Sequence, residues 1–567
     1  MKYVFFLLLS SLSFAICAQS EFVNQRVSIV LLKNENKLLP FKQLDSLSII
    51  YSGNQHLESF GSRYSQNEGI TKVLVTTNPS ETQNASFKVL VLLGDSLKID
   101  ALQLAQFQAI IYSSSNHLLA LDLVAQKLFG GRAFTDTLSY AVYGFAQGRG
   151  IQTQGGIRFS FGKPKEAGLD SAYLYRKIDS IATHAIDSGV APGIQVLVAK
   201  DGMVVLYKTY GYQTYDSLVA VEKNMLYDFA SVTKITGALP ALMKLYDEDK
   251  FSLDATMGTY LPYFAKGNKK DIRYRNVLSH NAELKSWIPY WSTTIKKNGK
   301  FKKNTLSHDS TANFSVKLVD GLYLHKDYRD IIYKQIRKSP LNEKPGYVYS
   351  GLSFYLYPEI IEKITKKDFE AYVKSNFYKP LGASTITYNP VRFYPKEQMI
   401  PTEIDTFFRK VPLVGIVHDE GAAMMQGVSS NAGLFGTTLD LAKLIQMYLW
   451  KGSYGGQQFI SKNTMELFTA CHYCNQGNRR GLGFDKPVLE DKEDGFTAIN
   501  ASDHSFGHSG YTGTFVWADP DTGVLFVFMS NRVYPTRYNT KIYQLNVRPA
   551  MHQAIYDAID IFQFGSK

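Results

Sequence analysis

The sequence predicts an α/β unit followed by a larger α+β unit, and three observations predict it. Between residues 46 and 114 short continuous apolar runs alternate with helical stretches, glycine is dense over residues 148–156, and helices and hairpins follow in mixed order beyond residue 170. Continuous apolar runs suit strands buried on both faces of a parallel sheet, and their alternation with helices gives an α/β layer. At 567 residues the chain exceeds one domain and can bury a large core.

The first element expected is a leader. Lys2 precedes an apolar run from Val4 to Ile16, and small residues end at Ala18. Charge, apolar stretch and small-residue cleavage site in that order predict a secretory signal peptide over residues 1–18, and the run is too short to span a bilayer. An exported protein, periplasmic or extracellular, is expected. Ile16 is too bulky for the position before a lipid-modified cysteine, so lipidation at Cys17 ranks second. No other segment reads as membrane-spanning.

Residues 19–150 form the α/β unit. Ser46–Gly53, Lys72–Thr77, Lys88–Gly94 and Ala109–Ser114 are the apolar runs, and Leu102–Phe107 and Leu118–Phe129 look helical. The glycines of 148–156 open a linker over 151–165, and the α+β unit takes 166–567. There Tyr173–Ser188 reads as a first helix, Ala191–Gly202 as the start of a hairpin, Phe515–Met529 as a second hairpin around Pro520–Gly523, and Ala550–Phe562 as a closing helix.

Chemistry enters at Ser231-Val232-Thr233-Lys234. A serine and a lysine three apart at a helix start share one face. An alkoxide forming there meets free backbone N–H groups and the positive end of the helix dipole, and the ammonium one turn on lowers the serine's pKa or shuttles its proton. The alternative for Ser231 is a helix N-cap. Spacing alone is a weak signal, because Ser160-Phe161-Gly162-Lys163 has it too, without a helical continuation, and is given no role.

Two further segments add to it. Pro345–Gly351 carries Tyr349 just before the helical run from Leu352, where a tyrosine flanked by cations could act as a base; in a chain with 37 tyrosines, aromatic core is the alternative. Phe506–Gly513, with His508, Ser509, Gly510 and Tyr511, runs into an alternating strand, and its glycines would let a substrate lie against a strand edge. An ordinary glycine-rich turn is the other reading, and Tyr511 stands where a nucleophile elbow needs glycine.

In this order the three segments resemble the S-x-x-K, Y-x-N and K-T-G or H-x-G motifs of the serine β-lactamase and penicillin-binding-protein superfamily, in its class C β-lactamase, esterase and D,D-peptidase branch. The resemblance covers about residues 166 to 565, with support from Ala191–Gly202, Val277–Leu284 around His280, and Gly427–Gly436. It implies an antiparallel sheet flanked by helices, Ser231 as nucleophile, Lys234 and Tyr349 sharing acid/base work, and His508 in place of the third-motif cation. The oxyanion hole would be the N–H groups of Ser231 and Tyr511. Gly351 departs from the Asn or other polar side chain that the resemblance implies there, and His508 from its lysine, so ester or peptide cleavage is expected above β-lactam hydrolysis. Ser28–Pro40 and Leu128–Gly131 resemble the C-terminal α/β-sandwich domain of family 3 glycoside hydrolases, here without the catalytic barrel. A non-hydrolytic domain that packs or binds sugar is implied.

The net charge of +12 is concentrated in runs such as Lys296, Lys297, Lys300, Lys302 and Lys303, read as solvated loop. Nucleic acid is excluded as a partner for an exported chain without interleaved stacking aromatics. Only Cys471 and Cys474 follow the leader; they are too few for a disulfide framework and lack a second metal-binding half, so an oxidised loop staple or idle thiols are expected. His504 and His508, four apart around Phe506-Gly507 in a presumed loop, suggest no metal, and no cofactor is expected. The expected substrate is a small peptide, amide or ester, with peptidoglycan-derived material included. A small-ester carboxylesterase and a catalytically weak binding protein are the alternatives.

Overall fold

The computed structural model describes residues 27–66 and 68–565; the expected leader, residues 1–18, lies outside them. The first unit is a five-stranded sheet of β1 (Ile29–Asn34), β2 (Leu47–Ser52), β3 (Thr71–Thr76), β4 (Phe87–Leu93) and β5 (Ala109–Ser113), in the order β1-β5-β4-β3-β2. Strands β2 to β5 are parallel, whereas β1 joins β5 antiparallel. Helix α1 (Gln55–Ser62) lies between β2 and β3, α2 (Ala101–Ala105) between β4 and β5, and α3 (Leu118–Leu128) follows β5. The core of β3, β4 and β5 is buried as the apolar runs require, with Val75, Val91 and Ile111 inaccessible. One run departs from the expectation: β2, at one edge of the sheet, is half-buried along its whole length, whereas β1, at the other edge, is buried from Ile29 to Leu32.

The expected linker is knitted into the structure. Arg158 is buried and donates to the carbonyls of Phe129 at 2.9 Å and Lys42 at 2.6 Å. Phe159 N–H donates to Tyr454 Oη at 3.3 Å. The following β6 (Ser160–Phe161) is the edge strand of the second sheet, so Ser160 lies in a strand, and only a short 3₁₀ turn, Pro164–Ala167, follows Lys163.

That second sheet has six strands in the order 506–509, 515–519, 524–530, β7 (Gly193–Lys200), β8 (Met203–Gly211) and β6. All its pairings are antiparallel except that of β6 with β8. Both expected hairpins are present, and Asp201-Gly202 turns β7 into β8. Helix α4 (Ser171–Asp187) and the last helix, Val547–Phe564, cover one face, where Leu174, Ile178, Phe526, Met551 and Ile555 form a core. The other face packs on Thr438–Leu449 and on a mostly helical region that begins with α5 (Thr233–Thr236) and α6 (Ala238–Asp247). Helices on both faces of a largely antiparallel sheet are the architecture that the resemblance implies. Burying the apolar surface of two such layers is the main favourable term in folding. The edge strand Phe506–Ser509 is thereby left beside the start of α5.

Candidate active site

Ser231 sits in a 3₁₀ turn, Ala230–Val232, that runs straight into α5. The turn is entered through an unusual conformation: Ala230 has φ +45°, in the left-handed region that non-glycine residues rarely occupy. Asp228 holds it there, accepting the Ala230 N–H at 2.7 Å and the His418 N–H at 2.7 Å through its two carboxylate oxygens. Burial pushes the Asp228 carboxyl up, against the pull of those two N–H donors. A backbone held in this region needs such a support.

Lys234, one turn on, is 2% exposed. Its Nζ donates to Ser231 Oγ at 2.9 Å and to the Asn431 carbonyl at 2.9 Å. Asn431 is itself fixed, since its amide donates to Tyr355 Oη at 3.1 Å and its side-chain oxygen accepts from Ser429 Oγ at 2.6 Å. The pair therefore has the hydrogen-bonded geometry that the serine-lysine spacing predicts.

Tyr349 comes to the same place from a distant loop. Lys234 Nζ lies 5.5 Å from its ring centroid, and the rings of His280 and His508 lie 4.7 and 6.0 Å away. The loop is tied down by His280, whose Nδ1 accepts the Ser350 N–H at 3.1 Å, and by Val348 N–H donating to the His280 carbonyl at 3.0 Å. Tyr349 is half-buried, so the alternative of a wholly buried aromatic does not describe it; Tyr347 is exposed. Gly351 follows in ordinary helical geometry, and a Cβ there would have no heavy atom within 4 Å. The space around a Cβ at this position is open.

The third motif is a strand, Phe506–Ser509, where a loop was expected around His508. Ser509 and Gly510 bring it against the serine's turn: a Cβ on Gly510 would stand 2.6 Å from the Phe229 carbonyl oxygen and 3.3 Å from the Ala230 Cβ. Thr512 Oγ1 donates to the Asp228 carbonyl at 2.9 Å, locking the same contact. Tyr511 stands at the mouth, 49% exposed, with Arg532 Cζ 4.6 Å above its ring.

His508 differs from the expected cation. It is buried, its Nδ1 faces the Ser509 carbonyl at 2.7 Å, and burial together with Arg480 and Lys234 pushes its pKa well below the ordinary 6.5. His280 is pushed down for the same reasons, burial first and then the neighbouring positive charges. Both imidazoles are neutral at pH 7. Two contributors escaped the sequence reading. Asp228 precedes the serine with no motif to mark it, and Arg480 reaches Tyr349 from 131 positions downstream, with Cζ 5.1 Å from the ring centroid.

Cys471 and Cys474 form a disulfide, the staple of the two alternatives. They line a cavity of about 620 Å³ with Met465, Ala470 and Phe506, to which Ser231 does not contribute. Among the described residues no cluster of acidic, histidine or cysteine side chains is arranged to hold a metal ion, and no helix is long and apolar enough to cross a membrane.

Residues 178–547, more than half of the chain and including all three motifs, match the family model described as Beta-lactamase. The chain belongs to the Beta-lactamase family. This β-lactamase-family chain is 30% identical over 407 residues to a Salmonella enteritidis protein named "Putative D-alanyl-D-alanine carboxypeptidase", with 67% of this chain and 87% of the relative covered. A Salmonella typhi protein of the same name matches to the same extent. Among solved structures it resembles EstCE1, a hydrolase with promiscuous acyltransferase activity, at 20% identity and TM-score 0.48, covering 67% of this chain and 99% of that one. It also resembles a D-amino acid amidase from Ochrobactrum anthropi at 15% identity and TM-score 0.49, covering 69% and 99%.

Proposed function

We propose that this β-lactamase-family chain is an exported serine hydrolase that cleaves D-Ala-type peptides, or related amides and esters of the cell wall, through an acyl-serine intermediate. The observation that carries the reading is the 2.9 Å contact between Lys234 Nζ and Ser231 Oγ with the Tyr349 ring beside it. The names of the Salmonella relatives favour the peptide substrate, and cell-wall material accords with export.

In this reading Ser231 Oγ attacks the substrate carbonyl carbon as its proton passes to the Lys234–Tyr349 pair. The tetrahedral oxyanion rests on the N–H groups of Ser231 and Tyr511, each such donor being worth about 3 kcal/mol. The C–N or C–O bond to the leaving group breaks, and the pair returns the proton to the departing amine or alcohol. Water then attacks the acyl carbon, gives a proton to the same pair, and releases the carboxylic acid as Ser231 Oγ recovers its proton. Ser509 and Gly510 lie along the edge where the substrate backbone would run.

Small-ester hydrolysis is the second reading. Gly351 leaves open space where a side chain would hold a substrate amide, and His508, neutral, offers a substrate carboxylate no charge. Residues 19–150, joined by 151–165 to the catalytic unit 166–567, belong in this proposal to a non-hydrolytic domain similar to the family 3 glycoside hydrolase sandwich. Comparing p-nitrophenyl acetate with a D-Ala-D-Ala peptide, on the wild type and Ser231→Ala, tests the function. Peptide turnover lost in Ser231→Ala is expected; turnover of the ester alone supports the second reading against the first.

A further inference from the structure

Tyr349 is surrounded by buried polar atoms that lack partners: Arg480 Nη1, His508 Nε2 and His280 Nε2. Buried polar groups are nearly always paired, so three exceptions around one ring call for a reason. Arg480 differs from the other two in carrying a permanent charge. Its side chain is 5% exposed, and Nε and Nη2 donate to Tyr347 Oη at 3.3 and 3.2 Å. Asp485 pairs with it at 3.1 Å but also with Arg479 at 3.0 Å. Two guanidiniums thus share one carboxylate, and a net positive charge remains facing Tyr349.

The placement is tied to the third motif. Asp485 and Gly507 exchange backbone hydrogen bonds at 2.8 and 3.0 Å, which fixes the arginine's partner to the strand bearing His508. From the other side Asn478 accepts the Arg480 N–H at 3.1 Å and donates to the Ser279 carbonyl at 3.0 Å, next to His280. The groups facing Tyr349 are therefore Lys234, Arg480, His280 and His508, with Tyr347, Arg479 and Asp485 behind them.

We propose that Arg480 is a positioning residue for acyl transfer: it supplies the fixed positive charge that the third motif of this chain lacks, and acts through Tyr349 by setting a cation 5.1 Å from the centre of the ring that exchanges a proton with Ser231. This rests on the hydrolase reading above. His508 cannot supply that charge, since burial, Arg480 and Lys234 all keep it neutral. Arg480 keeps its own: burial works against the charge, but Asp485, Tyr347 and Tyr349 hold its pKa above the ordinary value. A cation fixed near a ring in a site sheltered from water acts on developing charge more strongly than in solvent.

The test compares Arg480→Met and Arg480→Lys, each alone and with Tyr349→Phe, by kcat and KM on p-nitrophenyl acetate, alongside thermal melting. Arg480→Met is expected to lower kcat about tenfold or more with little change in KM, Arg480→Lys to restore most of the loss, and Arg480→Met to add little in the Tyr349→Phe background. An unchanged kcat, a loss confined to KM, or full additivity with Tyr349→Phe overturns the proposal. If Arg480→Met does not fold, Arg480→Lys decides: retained turnover supports a role for charge, and a loss as complete as in Ser231→Ala overturns it. Imidazole ¹⁵N NMR of His508, assigned with His508→Gln, reads the same charge without turnover. Its titration should move to higher pH in Arg480→Met and stay in Arg480→Lys; an unmoved resonance in Arg480→Met overturns the placement. A displaced titration in a protein without turnover would instead sink the hydrolase reading while supporting the position of the Arg480 charge.

Discussion

Lys234 Nζ donates to the backbone carbonyl of Asn431 at 2.9 Å, a contact that spans 197 residues and orients the lysine with no help from the second motif. Position 351, where the family usually places an asparagine, holds glycine in ordinary helical geometry with open space around it. The site thus fixes its lysine through the backbone and leaves room beside it.

Gly351→Asn should fold normally, because its Cβ meets no neighbour and glycine replacements at compatible backbone angles are neutral or gain up to about 1 kcal/mol. The variant is expected to acylate faster with a peptide or fluorescent penicillin relative to p-nitrophenyl acetate. A ratio equal to wild type would show that the empty space does not set substrate choice.

Tyr349→Phe should slow acylation by about 10²–10⁴-fold, the usual value of a positioned acid/base group. Single-turnover labelling with a fluorophosphonate measures it. An unchanged rate removes Tyr349 from the mechanism.

Gly510→Ala should disturb the seam between the third-motif strand and the serine's turn, since the new methyl would stand 2.6 Å from the Phe229 carbonyl oxygen. Overpacking of this kind costs about 1–3 kcal/mol. Thermal melting and labelling should fall together; normal values for both would mean that the strand does not press on the turn as described.

The neutral histidines give a pH signature. Burial, then Arg480 and Lys234, hold His508 below its ordinary 6.5, and the same influences with His508 added act on His280. In the unfolded chain both take up protons below about pH 6.5, while the folded chain resists, so the unfolded state binds more protons and stability falls as the pH drops. Between about pH 6 and 8, kcat/KM should show no inflection from His508. His508→Gln should flatten the acid-side decline in melting temperature; an identical decline would contradict a neutral, buried His508.

Much of this was legible in the sequence because it is local. The runs at 72–77, 88–94 and 109–114 are strands since their apolar centres, Val73–Val75, Val89–Leu92 and Ala109–Tyr112, are continuous and buried, and Ser231 and Lys234 meet because three residues make nearly one helical turn. The remainder depends on contacts between distant positions. Whether Ser46–Gly53 lies in the middle of a sheet or at its edge follows from strand order, which its composition does not encode. The charge of His508 depends on Arg480 and Lys234, neither adjacent in sequence. Arg480 itself sits in Arg479-Arg480-Gly481-Leu482, a stretch with no catalytic signature, and reaches Tyr349 only through the pairing of Asp485 with Gly507.

The most direct measurement is intact and peptide mass of the wild type and of Ser231→Ala after incubation with a fluorophosphonate, a β-lactam and a D-Ala-D-Ala peptide. The account predicts a single covalent adduct, mapped to the peptide carrying Ser231 and absent from Ser231→Ala. No adduct with any of the three probes, or one that persists in Ser231→Ala, would contradict it.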